Sequence, residues 1–128
     1  ERAVALKPDA PLFEISLAQA LIESADPAAV DRAVELLKSA LQKERDNGSA
    51  WYHLSQAYGR QGNNALASYA TAEQAFAFGD LNRARSFATR AQRDMPRNTP
   101  QYRRAADIVV ISNTQLASRG KDRYRPKP

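Results

Sequence analysis

Cysteine is absent from these 128 residues, and histidine occurs once, as His53. The first absence excludes disulfides and thiolate metal sites and fits any compartment. The second excludes the zinc helix H-E-x-x-H, which needs two imidazoles one turn apart and a glutamate to activate the bound water. Without a second ligand, His53 reads as an ordinary surface or partly buried side chain. No Gly-x-Ser-x-Gly elbow, Walker loop or Rossmann fingerprint occurs either, so no catalytic motif and no cofactor site is expected in this chain. No run approaches the ~18 to 20 apolar residues of a membrane span, and no signal peptide is visible. Glycine totals five, while alanine, leucine, arginine and glutamine are plentiful, so most of the chain favours helix. Glu1 is not an initiator methionine, and the first eight residues read as the end of a helix whose beginning is missing. The chain is therefore expected to be a fragment of a longer protein.

What is present is a set of spacings. Trp51, Leu54, Ser55 and Tyr58 stand as W-x2-L-[small]-x2-Y, the first-helix half of a tetratricopeptide (TPR) repeat. The second-helix half, A-x3-[apolar]-x2-A-x4-P, occurs as Ala84, Ala88, Ala91 and Pro96, and again as Ala33, Leu37, Ala40 and Arg45, with arginine in the proline place. A third copy leaves only Ala3 and Pro8. A lone helical hairpin cannot bury its apolar side, so small residues at fixed sites let the next hairpin approach and share a core. Positions 51, 54 and 58 fall on one helical face, which makes Trp51 and Tyr58 core residues first.

These spacings predict an all-α, TPR-like solenoid of stacked antiparallel hairpins over residues 1–119, with about six helices after a truncated one. The truncated helix closes at Pro8-Asp9, and Asp9 with Pro11 caps a helix to about Ser24. Asp26-Pro27 breaks it and opens another to about Glu44. Asp46-Asn47-Gly48-Ser49 turns the chain and caps the Trp51 helix. Gly62-Asn63 and Gly79-Asp80 are tight corners seventeen residues apart, half of the roughly 34-residue repeat, where glycine permits a left-handed helix end. Pro96 to Pro100 makes the last corner, with Thr99 as a cap. The two repeat frames collide, however. Counted from Trp51, the helix from about Asn64 to Phe78 is the second of its pair, whereas counted back from Ala84 and Pro96 it is the first. Either the solenoid contains a half-repeat step or one match is fortuitous.

A protein-binding groove in such a repeat is lined by first-helix residues that alternate with the core, which nominates Tyr52, Gln56 and Arg60. By the second frame Tyr69, Glu73 and Phe76 join them, although Tyr69 and Phe76 read rather as packing between helices, this helix being apolar all round. A carboxylate clamp, which needs lysines and asparagines along the groove, is not expected where Tyr52 and Gln56 stand.

The net charge of +5 is unevenly spread: residues 1–79 carry seven basic and ten acidic side chains, residues 80–128 twelve and four. Residues 120–128 read as a disordered basic tail. Arg83, Arg90 and Arg97, spaced by sevens, with Arg93 nearby, form a basic stripe that is either a solvated face or a dock for an acidic surface or anionic lipid. Nucleic acid is not an expected partner, because basic residues without a recognition motif supply only nonspecific attraction.

Trp51-Tyr52-His53-Leu54-Ser55-Gln56-Ala57-Tyr58, Gly62-Asn63, the alanine-rich Leu66 to Glu73 with Phe76, Phe78 and Gly79-Asp80, and Ala84 onward to Pro96 together resemble the C-terminal TPR region of bacterial BepA-like zinc metallopeptidases. The resemblance covers about residues 45 to 110. It implies a periplasmic parent whose upstream H-E-x-x-H domain holds the zinc. It also implies that this segment docks on that domain and binds outer-membrane assembly partners or misassembled proteins. The alternative is a freestanding TPR adaptor that assembles other proteins.

Overall fold

The computed structural model describes residues 10–123, and the side chains of 121–123 are left aside. The expected closure and cap at Pro8-Asp9 and the Ala3 and Pro8 remnant lie outside the described residues. Six helices follow in order: α1 (Ala10–Ile22), α2 (Pro27–Lys43), α3 (Gly48–Arg60), α4 (Asn64–Ala77), α5 (Leu81–Arg93) and α6 (Pro100–Arg123). Each packs on its neighbour in sequence, giving the stacked hairpins that the repeat spacings predict.

Local chemistry sets each start. The side chains of Asp26, Asn47, Asn63 and Asp80 accept from the backbone N–H of Ala28, Ala50, Leu66 and Arg83, satisfying donors that the first helical turn leaves open. Thr99 Oγ1 likewise accepts from Tyr102 N–H at 3.2 Å. At the two glycine corners the helix end and the next helix start are fused. Gly62 and Gly79 adopt φ of 78° and 79°, and the amides of Asn63 and Asp80 reach back to the carbonyls of Tyr58 and Ala75 at 2.9 Å. The left-handed glycine closes one helix while the next residue caps its successor, so consecutive helices turn with almost no loop.

α6 continues past Arg119 into the segment expected to be disordered, since Arg119, Lys121 and Arg123 are good helix formers and only Gly120 interrupts them. Residues 124–128 of that expected tail lie outside the described residues.

Between the helices the core is built largely from alanine. Ala33, Ala40, Ala84, Ala88 and Ala91, read from the sequence as close-approach positions, are all buried, with Leu37 fully enclosed. Trp51 and Tyr58 are buried at 5% and 7% exposure, as their helical face predicts. Trp51 donates from Nε1 to the Arg45 carbonyl at 2.9 Å and sets its ring edge against Tyr69, with centroids 5.6 Å apart. Arg45, in the proline place, thus contributes a backbone acceptor. The same phase recurs in α1 and α3: Ile15-Ser16-x-Ala18 repeats the spacing of Leu54-Ser55-x-Ala57, and the apolar members of both sets are buried.

The colliding frames resolve into a half-repeat step. Beyond sequential neighbours, α1 packs on α3 and α4 packs on α6, whereas among the described residues α3 and α5 do not meet. α4 is therefore the second helix of the hairpin begun by Trp51 and also the first helix of the next.

Candidate functional site

Where α1 meets α3 a furrow of about 540 Å³ opens to solvent. α1 contributes Gln19, Ile22 and Glu23, and α3 contributes Tyr52, His53, Gln56, Gly59 and Arg60. The α3 residues lie there because the opposite face of the helix, Trp51, Leu54 and Tyr58, is committed to the core. Tyr52 is 45% exposed, and its hydroxyl accepts from Gln56 Nε2 at 3.2 Å. His53 is buried beneath Tyr52, their ring centroids 5.3 Å apart, and its Nδ1 has no hydrogen-bond partner among the described residues. Among those residues no group of three His, Asp or Glu side chains comes together as a metal site.

The three α3 residues nominated from sequence share this furrow, but they do different work. Tyr52 and Gln56 present a ring, a hydroxyl and an amide outward. Arg60 instead turns its guanidinium onto the carbonyl oxygens of Ile22 and Ser24, the latter at 2.8 Å. Those carbonyls belong to the C-terminal end of α1, where partial negative charge gathers, so a cation there ties α1 to α3 and closes one end of the furrow. Gln19 and Glu23 escaped sequence reasoning. Their spacing of four places them on one face of α1, but nothing in α1 alone says that α3 lies opposite.

Tyr69 and Glu73 require a correction. They do not line the furrow; they form the floor of the junction between α4 and α6. Tyr69 donates its hydroxyl to Glu73 Oε2 at 2.7 Å. Glu73, 3% exposed, accepts from Arg104 Nε at 2.8 Å and Nη2 at 3.1 Å, with Arg45 Nη2 at 3.8 Å. Burial, followed by the adjacent Glu73 carboxylate, holds the Tyr69 phenol well above the ordinary tyrosine range. The same Glu73 hydrogen bonds hold the Arg104 guanidinium in its charged form. Phe76 packs 5.4 Å beneath the Arg104 guanidinium, half-buried, which matches the reading of Phe76 as packing between helices. A buried carboxylate survives here because a two-pronged arginine contact and a phenol replace its water. An edge of Tyr69 reaches a shallow cavity of about 200 Å³ bounded by Trp51, Tyr58, Lys38 and Arg45.

Arg83 and Arg90, the remaining nominated residues, stand exposed on α5 and flank Phe87. They are far in the chain from the α1/α3 furrow, and α5 packs only on α4 and α6 among the described helices. The residues nominated for the groove thus fall in two places, and the two arginines of the basic stripe stand apart from both.

Comparison of the chain with protein-family models, with curated proteins and with solved structures returns no match. No helix among the described residues is long and apolar enough to cross a membrane.

Proposed function

We propose that this chain is a noncatalytic protein-interaction domain whose α1/α3 furrow holds a segment of a partner polypeptide. The observation that carries this reading is the pairing of exposed Gln19 on α1 with exposed Tyr52 and Gln56 on α3 across one open-sided channel. Primary amides donate and accept at once, matching the N–H and C=O groups of an extended backbone, and a tyrosine ring adds apolar contact at little entropic cost. An open furrow with amide walls suits a chain passing through it better than a small molecule, which calls for enclosure.

On the resemblance of residues 45 to 110, we read the parent protein as a BepA-like periplasmic zinc metallopeptidase, with the zinc chemistry on its upstream domain. This domain then docks on that peptidase and holds partners or substrates in outer-membrane protein quality control. An H-E-x-x-H helix behind an export signal in the coding sequence upstream of Glu1 is the expected finding. A parent without either would make the chain a TPR adaptor.

The furrow is tested with a permanently unfolded polypeptide, reduced and carboxymethylated α-lactalbumin, titrated by fluorescence anisotropy. Tyr52→Ala should weaken its binding several-fold while changing unfolding free energy by less than about 0.5 kcal/mol. Unchanged binding with Tyr52→Ala, or no binding to the unmodified domain, would overturn the assignment of the furrow.

A further inference from the structure

We propose that the outer face of α5 is a second docking surface, fitted to an acidic extended segment of a protein partner. Arg83, Phe87 and Arg90 stand at i, i+4 and i+7, on one side of the helix. Both guanidiniums lie over the same phenyl ring, at 4.8 Å and 4.7 Å from its centroid. Stacking orients each guanidinium plane and leaves its N–H edge free for an oxygen acceptor.

Three other arginines are engaged elsewhere. Arg104 is held by Glu73, Arg85 donates to Asn113 and Asn82, and Arg60 donates to two backbone carbonyls. Arg83 and Arg90 make no ion pair among the described residues. α5 itself, LNRARSFATRAQR, contains no acidic residue, and Asp80 before it spends its carboxylate as the helix cap. Alongside Arg90 runs a furrow of about 350 Å³ between α4 and α5, with Asn64, Ser68 and Thr71 on its other wall and the Asp94 carboxylate at its α5 end, so the acidic segment is placed on the Arg83–Phe87–Arg90 face and not in this furrow.

Geometry selects the occupant. Seven helical residues separate the two arginines by roughly 10 Å along α5, which matches two carboxylates three residues apart on a polyproline II chain, whose threefold repeat keeps both on one face. Phe87, half-buried between them, asks for an apolar side chain between the acids. A membrane surface fits poorly, because the remaining apolar residues of α5, Leu81, Ala84, Ala88 and Ala91, are buried and leave little to insert. A nucleic acid fits poorly too, since the ring that would stack a base already carries guanidiniums.

The test is anisotropy of a fluorescein-labelled peptide with a Glu-Ala-Leu-Glu core between Gly-Ser flanks, at low and moderate salt. Binding should fall with salt, and Arg83→Gln with Arg90→Gln should weaken it about tenfold without loss of helical circular dichroism. Arg83→Lys with Arg90→Lys keeps the charge and loses the planar stack, so it should weaken binding several-fold, while Tyr52→Ala should leave it unchanged and so keep this surface distinct from the α1/α3 furrow. Absence of binding, indifference to the glutamines, or full binding by the lysine pair would overturn the proposal. So would tighter, equally arginine-dependent binding to phosphatidylglycerol vesicles or single-stranded DNA.

Discussion

Helices α1 and α3 meet across Gln19, Tyr52 and Gln56, whereas α4 and α6 meet across Tyr69, Glu73 and Arg104. Both are contacts between helices two apart in the chain, and both place polar side chains between them. At α4/α6 the facing helix supplies the counter-charge that Glu73 needs, so the junction closes and water is replaced by a phenol and a guanidinium. At α1/α3 the facing helix supplies an amide and a carboxylate, Gln19 and Glu23, with no cation left over, because Arg60 is engaged by backbone carbonyls. The furrow therefore stays open. In this solenoid, the same packing step leaves an open furrow or forms a closed seam according to what the facing helix offers.

Trp51 joins the two regions, and its removal should have the largest effect. Its indole bonds the α2–α3 connection at the Arg45 carbonyl, and its edge meets Tyr69 at the start of the seam. Trp51→Ala should cost about 3 to 5 kcal/mol, measured by urea unfolding followed through helical circular dichroism. A loss below about 1 kcal/mol would mean that the halves do not lean on this ring.

Glu73→Gln sharpens the comparison directly. It leaves Arg104, 27% exposed, facing a neutral amide in the seam, and should cost about 2 to 3 kcal/mol. Gln56→Ala in the open furrow should cost less than about 0.5 kcal/mol. Adding Arg104→Met to Glu73→Gln should recover part of the loss, since a buried charge without its partner is worse than none. Equal stability of the Glu73 and Gln56 variants would erase the distinction between seam and furrow.

Much of this architecture was legible locally. The caps at Asp26, Asn47, Asn63 and Asp80 and the left-handed Gly62 and Gly79 act within one turn of themselves, so their residue types announce the corners. Trp51, Leu54 and Tyr58 share a face by spacing alone, and Tyr52 and Gln56 were found by exclusion from that face. The position of Tyr69 and Glu73 was not legible. α4 is small and apolar around most of its circumference, so its sequence does not say which side is covered. Arg104, which encloses Glu73, arrives from a helix whose facing depends on the half-repeat step, a tertiary event with no short-range signal. Gln19 and Glu23 were missed for the same reason: α1 becomes a furrow wall only once α3 has packed against it.

A smaller effect than the loss of Trp51 or Glu73 is read through pH. Burial raises the phenols of both Tyr58 and Tyr69, with help from Glu35 at the first and Glu73 at the second. In the unfolded chain both release their protons near pH 10, while in the folded chain they release them only at higher pH. Above that pH the unfolded state binds fewer protons than the folded one, so stability falls as pH rises, by up to about 1.4 kcal/mol per pH unit for each tyrosine. Below about pH 9 their contribution is fully present and flat. Arg104 stays charged through this window, its guanidinium held by the Glu73 hydrogen bonds, so the ion pair of the seam is not what fails. Tyr69→Phe should therefore lower stability at neutral pH by about 1 kcal/mol through the lost bond to Glu73, yet make the alkaline decline shallower. An alkaline slope identical to that of the unsubstituted domain would show that the Tyr69 phenol is not held protonated by the seam.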